Sequence, residues 1–195
     1  MARELTDGVW LFDLGFVTPF RSNAYLIDES AMSEVDGDDL TLCDVGLWRN
    51  RPSIRSEFNA LGYGFKDLDR ILLTHYDLDH VSGLGRILDD FDGPVYLGAG
   101  DVDLLSGADL PDALHHKGMF HRVARRLFPL PAAADVHRVT DGNRIGNFTA
   151  YATPGHNHGH TVYAHDAGVA ILGDLVWEER GLLTTPFWLD SYDMR

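Results

Sequence analysis

One stretch decides most of what this chain can become: Ile71-Leu72-Leu73-Thr74-His75-Tyr76-Asp77-Leu78-Asp79-His80. The apolar triplet reads as a buried strand. Two histidines and two carboxylates then fall within six residues, and Gly83 and Gly85 follow inside a pattern that predicts a short helix. In an extended segment, side chains at i and i+2 share a face, so His75 and Asp77 can converge on one point. Asp79 and His80 can reach a second point from the turn. Donors gathered where a buried strand ends call for an α/β architecture, in which such ends lie at one open edge.

The rest of the chain supplies the strands and helices for that architecture. Residues 9–14 and 23–28 read as strands joined by a turn at Thr18-Pro19, and 40–45 as a third strand. Residues 52–61 carry Ile54, Phe58 and Leu61 at helical spacing, with Pro52 suited to the first turn and Gly62 to the stop. A helix over 81–90 and a strand at Val95-Tyr96-Leu97 follow. Residues 113–128 form an amphipathic pattern, with Leu114, Phe120, Val123, Ala124 and Leu127 on one side. His115, His116, His121, Arg122, Arg125 and Arg126 lie mostly elsewhere. The expectation is a surface helix with its apolar stripe on the core; the alternative is a lid over the site. Short strands at 147–153, 161–165 and 169–172 close the pattern, with turns at Asp141-Gly142 and Asp166-Ala167-Gly168. No repeat or linker divides residues 1–195, so one domain is expected.

Charge narrows the range of partners. Thirty acidic residues face sixteen basic ones, a net charge of −14 that repels phosphate backbones and argues against nucleic-acid binding. Only six of the acids are Glu, and only Lys66 and Lys117 are lysines, an Asp-rich and Lys-poor balance of the kind found in salt-adapted proteins. No apolar run approaches the ~18 residues of a membrane span. The N-terminal residues lack a secretory pattern, so a cytoplasmic location and no membrane partner are expected. Cys43, the single cysteine, sits on a predicted strand and reads as a buried, inert thiol.

Two further clusters complete the chemistry. Thr153-Pro154-Gly155-His156-Asn157-His158-Gly159-His160 is a turn with three histidines at alternate positions. Gly173-Asp174 directly follows the apolar run Val169-Ala170-Ile171-Leu172. Imidazoles and carboxylates at strand ends are the donors a borderline divalent metal takes. Singly, each residue has an ordinary role: Asp79 a helix cap, Asp174 a turn residue, Asp77 a solvated carboxylate, His158 an exposed loop residue. Jointly, metal binding is the better account.

The three clusters, with Asn23-Ala24-Tyr25-Leu26-Ile27-Asp28 and Leu42-Cys43-Asp44-Val45-Gly46, resemble the metallo-β-lactamase superfamily over nearly the whole chain. Its glyoxalase-II-like and lactonase-like hydrolases are the nearest branch. The resemblance implies a four-layer αββα sandwich and two divalent ions, with zinc expected and iron or manganese as alternatives. His75 and His156 match ligands of the first metal, Asp79 and His80 those of the second, and Asp174 the carboxylate bridging both. His160 is expected to support His156 or a nearby carboxylate, while His115, His116, His121 and His137 receive no metal role. Asp77 stands where the family usually has a histidine, which hardens the site towards iron or manganese. The family's late histidine has no counterpart in the 21 residues after Asp174, so the last strand and helix are expected to be missing. The implied reaction is hydrolysis of a small-molecule ester, thioester or lactone by a metal-bound hydroxide, with Asp79 as the catalytic proton carrier. Asp77 motivates an alternative, a non-haem iron oxidoreductase of the persulfide dioxygenase or flavodiiron kind. The absent histidine motivates another, a degenerate, non-catalytic metal-binding domain.

Overall fold

The computed structural model describes residues 2–17, 20–47, 53–105, 115–127 and 136–193. Among these, seven strands form one sheet in chain order: β1 (Arg3–Thr6), β2 (Val9–Val17), β3 (Phe20–Asp28), β4 (Leu40–Cys43), β5 (Arg70–Leu73), β6 (Val95–Gly98) and β7 (Val136–Val139). The first four run antiparallel, and β4 to β7 run parallel. Parallel neighbours need crossovers, which here carry helices. They are α1 (Ile54–Leu61), α2 (Leu78–Val81), α3 (Leu84–Ile87), α4 (Val102–Leu105) and α5 (His116–Leu127). A second sheet follows in the order β11-β10-β9-β8, from β8 (Arg144–Ile145), β9 (Phe148–Ala152), β10 (Thr161–His165) and β11 (Val169–Ile171). A separate hairpin pairs β12 (Trp177–Glu179) with β13 (Leu182–Thr184).

The unbroken apolar run in β5 has a simple cause: both of its faces are covered. Ile71 and Leu73 share a core with Leu42, Phe58, Val81 and Ile87 on the helical side. Leu72, between them, points the other way, into a core with Cys43, Phe148, Tyr163 and Ile171 between the two sheets. Helix, seven-stranded sheet and four-stranded sheet are three of the layers of the expected αββα sandwich. Cys43 is a buried free thiol, as its sequence context predicts.

Helix α1 stops at Gly62 as the sequence predicts but starts at Ile54, two residues later than the 52–61 reading. The Ser53 hydroxyl accepts from Ser56 N–H, and Gly62 caps the far end at φ 90°. Pro52 lies outside the described residues, as do Thr18-Pro19. Phe58 packs between Phe12 and Phe65 at ring separations of 5.5 and 5.0 Å, and burial of such a ring is worth about 1.5–3 kcal/mol.

Two expectations need correction. The helix predicted over 81–90 is two short turns, α2 and α3, because Gly83 N–H leaves the helical ladder to donate to Gly46 O at 2.9 Å. Helix α5 lies where predicted but faces the other way. Phe120, Val123 and Leu127 are 53%, 59% and 67% exposed, whereas Lys117 and His121 are buried. The spacing gives the amphipathic stripe correctly, but polar partners on the interior, described below, hold the opposite face inward. No helix among the described residues is long and apolar enough to cross a membrane.

Candidate metal centre

The ends of β4 and β5 build the floor of the site. Asp44, just past β4, adopts a left-handed φ of 58° and is 1% exposed. Its carboxylate accepts from Thr74 N–H at 2.8 Å, from the Thr74 hydroxyl at 2.8 Å and from His80 Nδ1 at 2.9 Å. That last bond places a proton on His80 Nδ1 and turns Nε2 inward, the carboxylate–histidine arrangement that orients metal ligands. Burial would lower this imidazole's pKa, but Asp44, Asp79 and Asp174 hold it well above the usual value. The sequence showed Asp44 only as part of a motif; its partner lies 36 residues away.

His75 is oriented in the same manner. The Thr74 hydroxyl gives its proton to Asp44, so its oxygen accepts from His75 Nδ1 at 2.9 Å. Nε2 of His75 then carries a lone pair, is fully buried, and has no hydrogen-bond partner among the described residues. Burial, with His80 nearby, holds this imidazole's pKa well below the usual value, so it is neutral. A neutral, buried, bare ring nitrogen is costly unless a cation takes its lone pair.

The His-rich loop arrives from the second sheet. Asp101 clamps it: its carboxylate accepts from Tyr76 N–H at 3.0 Å and from Gly159 N–H at 2.7 Å, joining the two loops. Burial pushes this carboxyl up to about 6, although both backbone donors pull it down. Gly98 allows the close approach, since a Cβ there would sit 1.8 Å from Gly159 O. His156 Nε2 comes to 3.0 Å from Asp77 Oδ2 and 3.7 Å from Asp174 Oδ2. Asp174 is brought in by a turn beginning at Gly173, φ 55°. Its Oδ1 is 3.4 Å from His80 Nε2, and Trp177 Nε1 donates to Oδ2 at 3.1 Å.

The residues singled out from the sequence therefore converge. Donor atoms of His75, Asp77 and His156 lie within 4.8 Å of one another, as do those of His75, His80 and Asp174. The sequence reading puts Asp79 in the second group; the structure places it at the edge, Oδ2 3.8 Å from His80 Nε2, with its side chain 29% exposed. Burial raises the Asp79 carboxyl to about 6; His80 opposes this, and Asp77 and Asp174 add to it. Asp174 is shifted the other way: burial would raise it, but His80 and the other imidazoles hold it well below the usual carboxylate range. Asp77 is buried rather than solvated, its Oδ2 3.5 Å from His75 Nε2. His158 is exposed, as expected. Among the described residues His160 braces neither His156 nor a carboxylate; its Nδ1 meets the Thr153 hydroxyl at 2.7 Å, and its buried Nε2 has no hydrogen-bond partner there.

Sequence reasoning missed four groups at this centre. His121 Nε2 lies 2.9 Å from Asp77 Oδ1, and Asn157 Nδ2 donates to the same oxygen at 2.6 Å. Lys117 Nζ lies 3.0 Å from Asp77 Oδ2, so Lys117 and His121 outweigh burial and hold the Asp77 carboxyl well below its usual range. Asp190 joins His156 and Asp174 in a third donor group. Lys117 and His121 were visible as polar positions four apart on a predicted helix, the only signal that could have marked them.

The donor set fits a divalent metal on its own chemistry: imidazoles, carboxylates and an orphaned buried nitrogen. The described fold and site define a class, and the comparisons agree. The model of the metallo-beta-lactamase superfamily matches residues 17–194, and the chain belongs to that superfamily. A probable metallo-hydrolase of Bacillus subtilis, YybB, is 30% identical over 164 residues, covering 82% of this chain and 67% of the relative. An uncharacterized B. subtilis protein, YobT, is 29% identical over 182 residues, 83% and 70% respectively. Among solved structures, a metallo-beta-lactamase family protein of Thermus thermophilus aligns at TM-score 0.67 and 22% identity, over 94% of this chain and 64% of that one. The subclass B3 metallo-beta-lactamase BJP-1 of Bradyrhizobium japonicum aligns at 0.63 and 23%, over 93% and 59%. The chain thus spans less than two thirds of either solved chain, and at these identities they show the fold alone.

Proposed function

We propose that this chain hydrolyses a small-molecule ester, thioester or lactone with two divalent ions. His75, Asp77 and His156 would hold one, and His80 and Asp174 the other, with Asp79 at the edge of that second group. Such ions supply Lewis acidity and lower the pKa of water from 15.7 to about 7. The chain's own residues do the rest. Asp44 and Thr74 fix the two imidazoles of the 75–80 loop in the tautomers that present Nε2. Asn157 and His121 tie Oδ1 of Asp77, leaving Oδ2 to face His75 and His156. Asp79, partly open to solvent, orients the attacking water and carries its proton to the leaving group.

The observation that supports this reading best is the bare Nε2 of His75, buried among His80, His156, Asp77 and Asp174. Elemental analysis of the purified chain and a panel of thioester, ester and lactone substrates test it. Zinc retained at one to two equivalents, with turnover abolished by a chelator and restored by the ion, is the expected result. No bindable divalent ion would refute it. The carboxylate at Asp77 favours a second reading, iron-dependent oxidation; oxygen uptake by iron-loaded protein with no hydrolytic turnover would select it.

A further inference from the structure

The structure points to an occupant of the first donor group that belongs to the chain itself. Lys117 enters from the first turn of α5, and its side chain is fully buried. Nζ donates to Asp190 O at 2.7 Å and His156 O at 3.1 Å. It also lies 3.0 Å from His156 Nε2 and 3.0 Å from Asp77 Oδ2. Those last two atoms are donors in the first group. They are themselves 3.0 Å apart, and in the tautomer of His156 with its proton on Nδ1 both turn a lone pair towards the ammonium. Ser191 Oγ lies near Nδ1 of His156 at 3.4 Å, consistent with a proton on Nδ1 and a bare Nε2.

We infer that Lys117 is a built-in cation at the first metal position, and that a divalent ion enters only by expelling it. The ring nitrogen of His156 has one lone pair, which can accept from an ammonium or bind a metal, not both. Space gives the same answer. An ion about 2.1 Å from both His156 Nε2 and Asp77 Oδ2 lies between about 1 and 4 Å from Nζ at its present place. The near limit is a collision, and the far one sets like charges together in a poorly solvated pocket. The way out is marked: Asp190 Oδ1 is 4.0 Å from Nζ, and its carboxylate is 37% exposed. Lys117 therefore links metal entry to the position of α5 and the 188–191 turn, whose backbone it holds.

This inference rests on the metal-binding reading, and one experiment separates the two. Lys66, exposed, and Lys117 are the only lysines of the sequence, so Lys66 serves as an internal control. The full chain, stripped with chelator, is titrated with zinc alone. Bound zinc is measured by equilibrium dialysis, and lysine reactivity by pulsed reductive methylation read peptide by peptide. Zinc is expected to raise Lys117 labelling about tenfold or more and leave Lys66 unchanged. The Lys117→Met chain is expected to bind its tightest-affected zinc about tenfold more strongly, the scale of one charge-assisted hydrogen bond no longer competing. Zinc bound with Lys117 labelling unchanged, or a Lys117→Met chain that binds zinc no tighter, overturns the inference and leaves metal binding standing. A stripped chain that takes up no zinc removes both.

Discussion

Replacing Asp44 by Asn isolates the support beneath the ligands. Asn tolerates the left-handed φ of 58° and keeps the volume, so the change is confined to charge and to one acceptor oxygen. Oδ2 of Asp44 takes the Thr74 hydroxyl and His80 Nδ1 together. An amide NH2 in its place meets one N–H donor head-on, and turning the amide moves the clash to Thr74 N–H. One buried charge-assisted bond is lost and one donor is left unsatisfied, each about 1–3 kcal/mol. The sum, about 2–6 kcal/mol, is a large share of the 5–15 kcal/mol that holds a typical domain. Metal affinity falls as well, about 10–100-fold, because His80 is no longer held with Nε2 inward. Urea unfolding in chelator reads the first quantity, and competition with a chromophoric chelator reads the second. An Asp44→Asn chain with unchanged zinc affinity would show that Asp44 does not orient His80.

Three more outcomes follow from the packing. The Asp101 carboxyl, raised from 3.8 to about 6, keeps its proton in the folded chain at a pH where the unfolded chain has lost it. Its contribution to stability therefore falls as pH rises from about 4 to about 6, by about 3 kcal/mol. Asp101→Asn should flatten the pH–stability curve in that window, and parallel curves for both chains would refute the assignment. Gly98→Ala places a Cβ 1.8 Å from Gly159 O and should cost about 3 kcal/mol or more in denaturant unfolding, because backbone must move. Val123→Ser, on the outward face of α5, should change stability by less than about 0.5 kcal/mol. A loss near 2 kcal/mol would mean that this face is buried after all.

How much of this was legible beforehand differs from element to element. The 71–80 stretch could be read as strand then donor turn because both signals are local: an unbroken apolar run and four donors in six residues. The order of the three clusters carried the family and hence the layers. Helix α5 shows where local signals stop. Its periodicity predicts a helix and two faces, but burial of a lysine and a histidine depends on Asp77, His156 and Asp190, all remote in sequence.

The sequence by itself determined most of the elements, the family, and a convergence of His75, Asp77, His80, His156 and Asp174, since each depends on residue type and spacing along the chain. Tertiary structure alone decided which nitrogen of each imidazole faces inward, why Asp44 matters, where Asp79 stands, and that an ammonium shares the first donor group. Those are questions of direction. A side chain's direction is set by whichever partners the sheet order places beside it, and that order brings together residues as far apart as 136 positions.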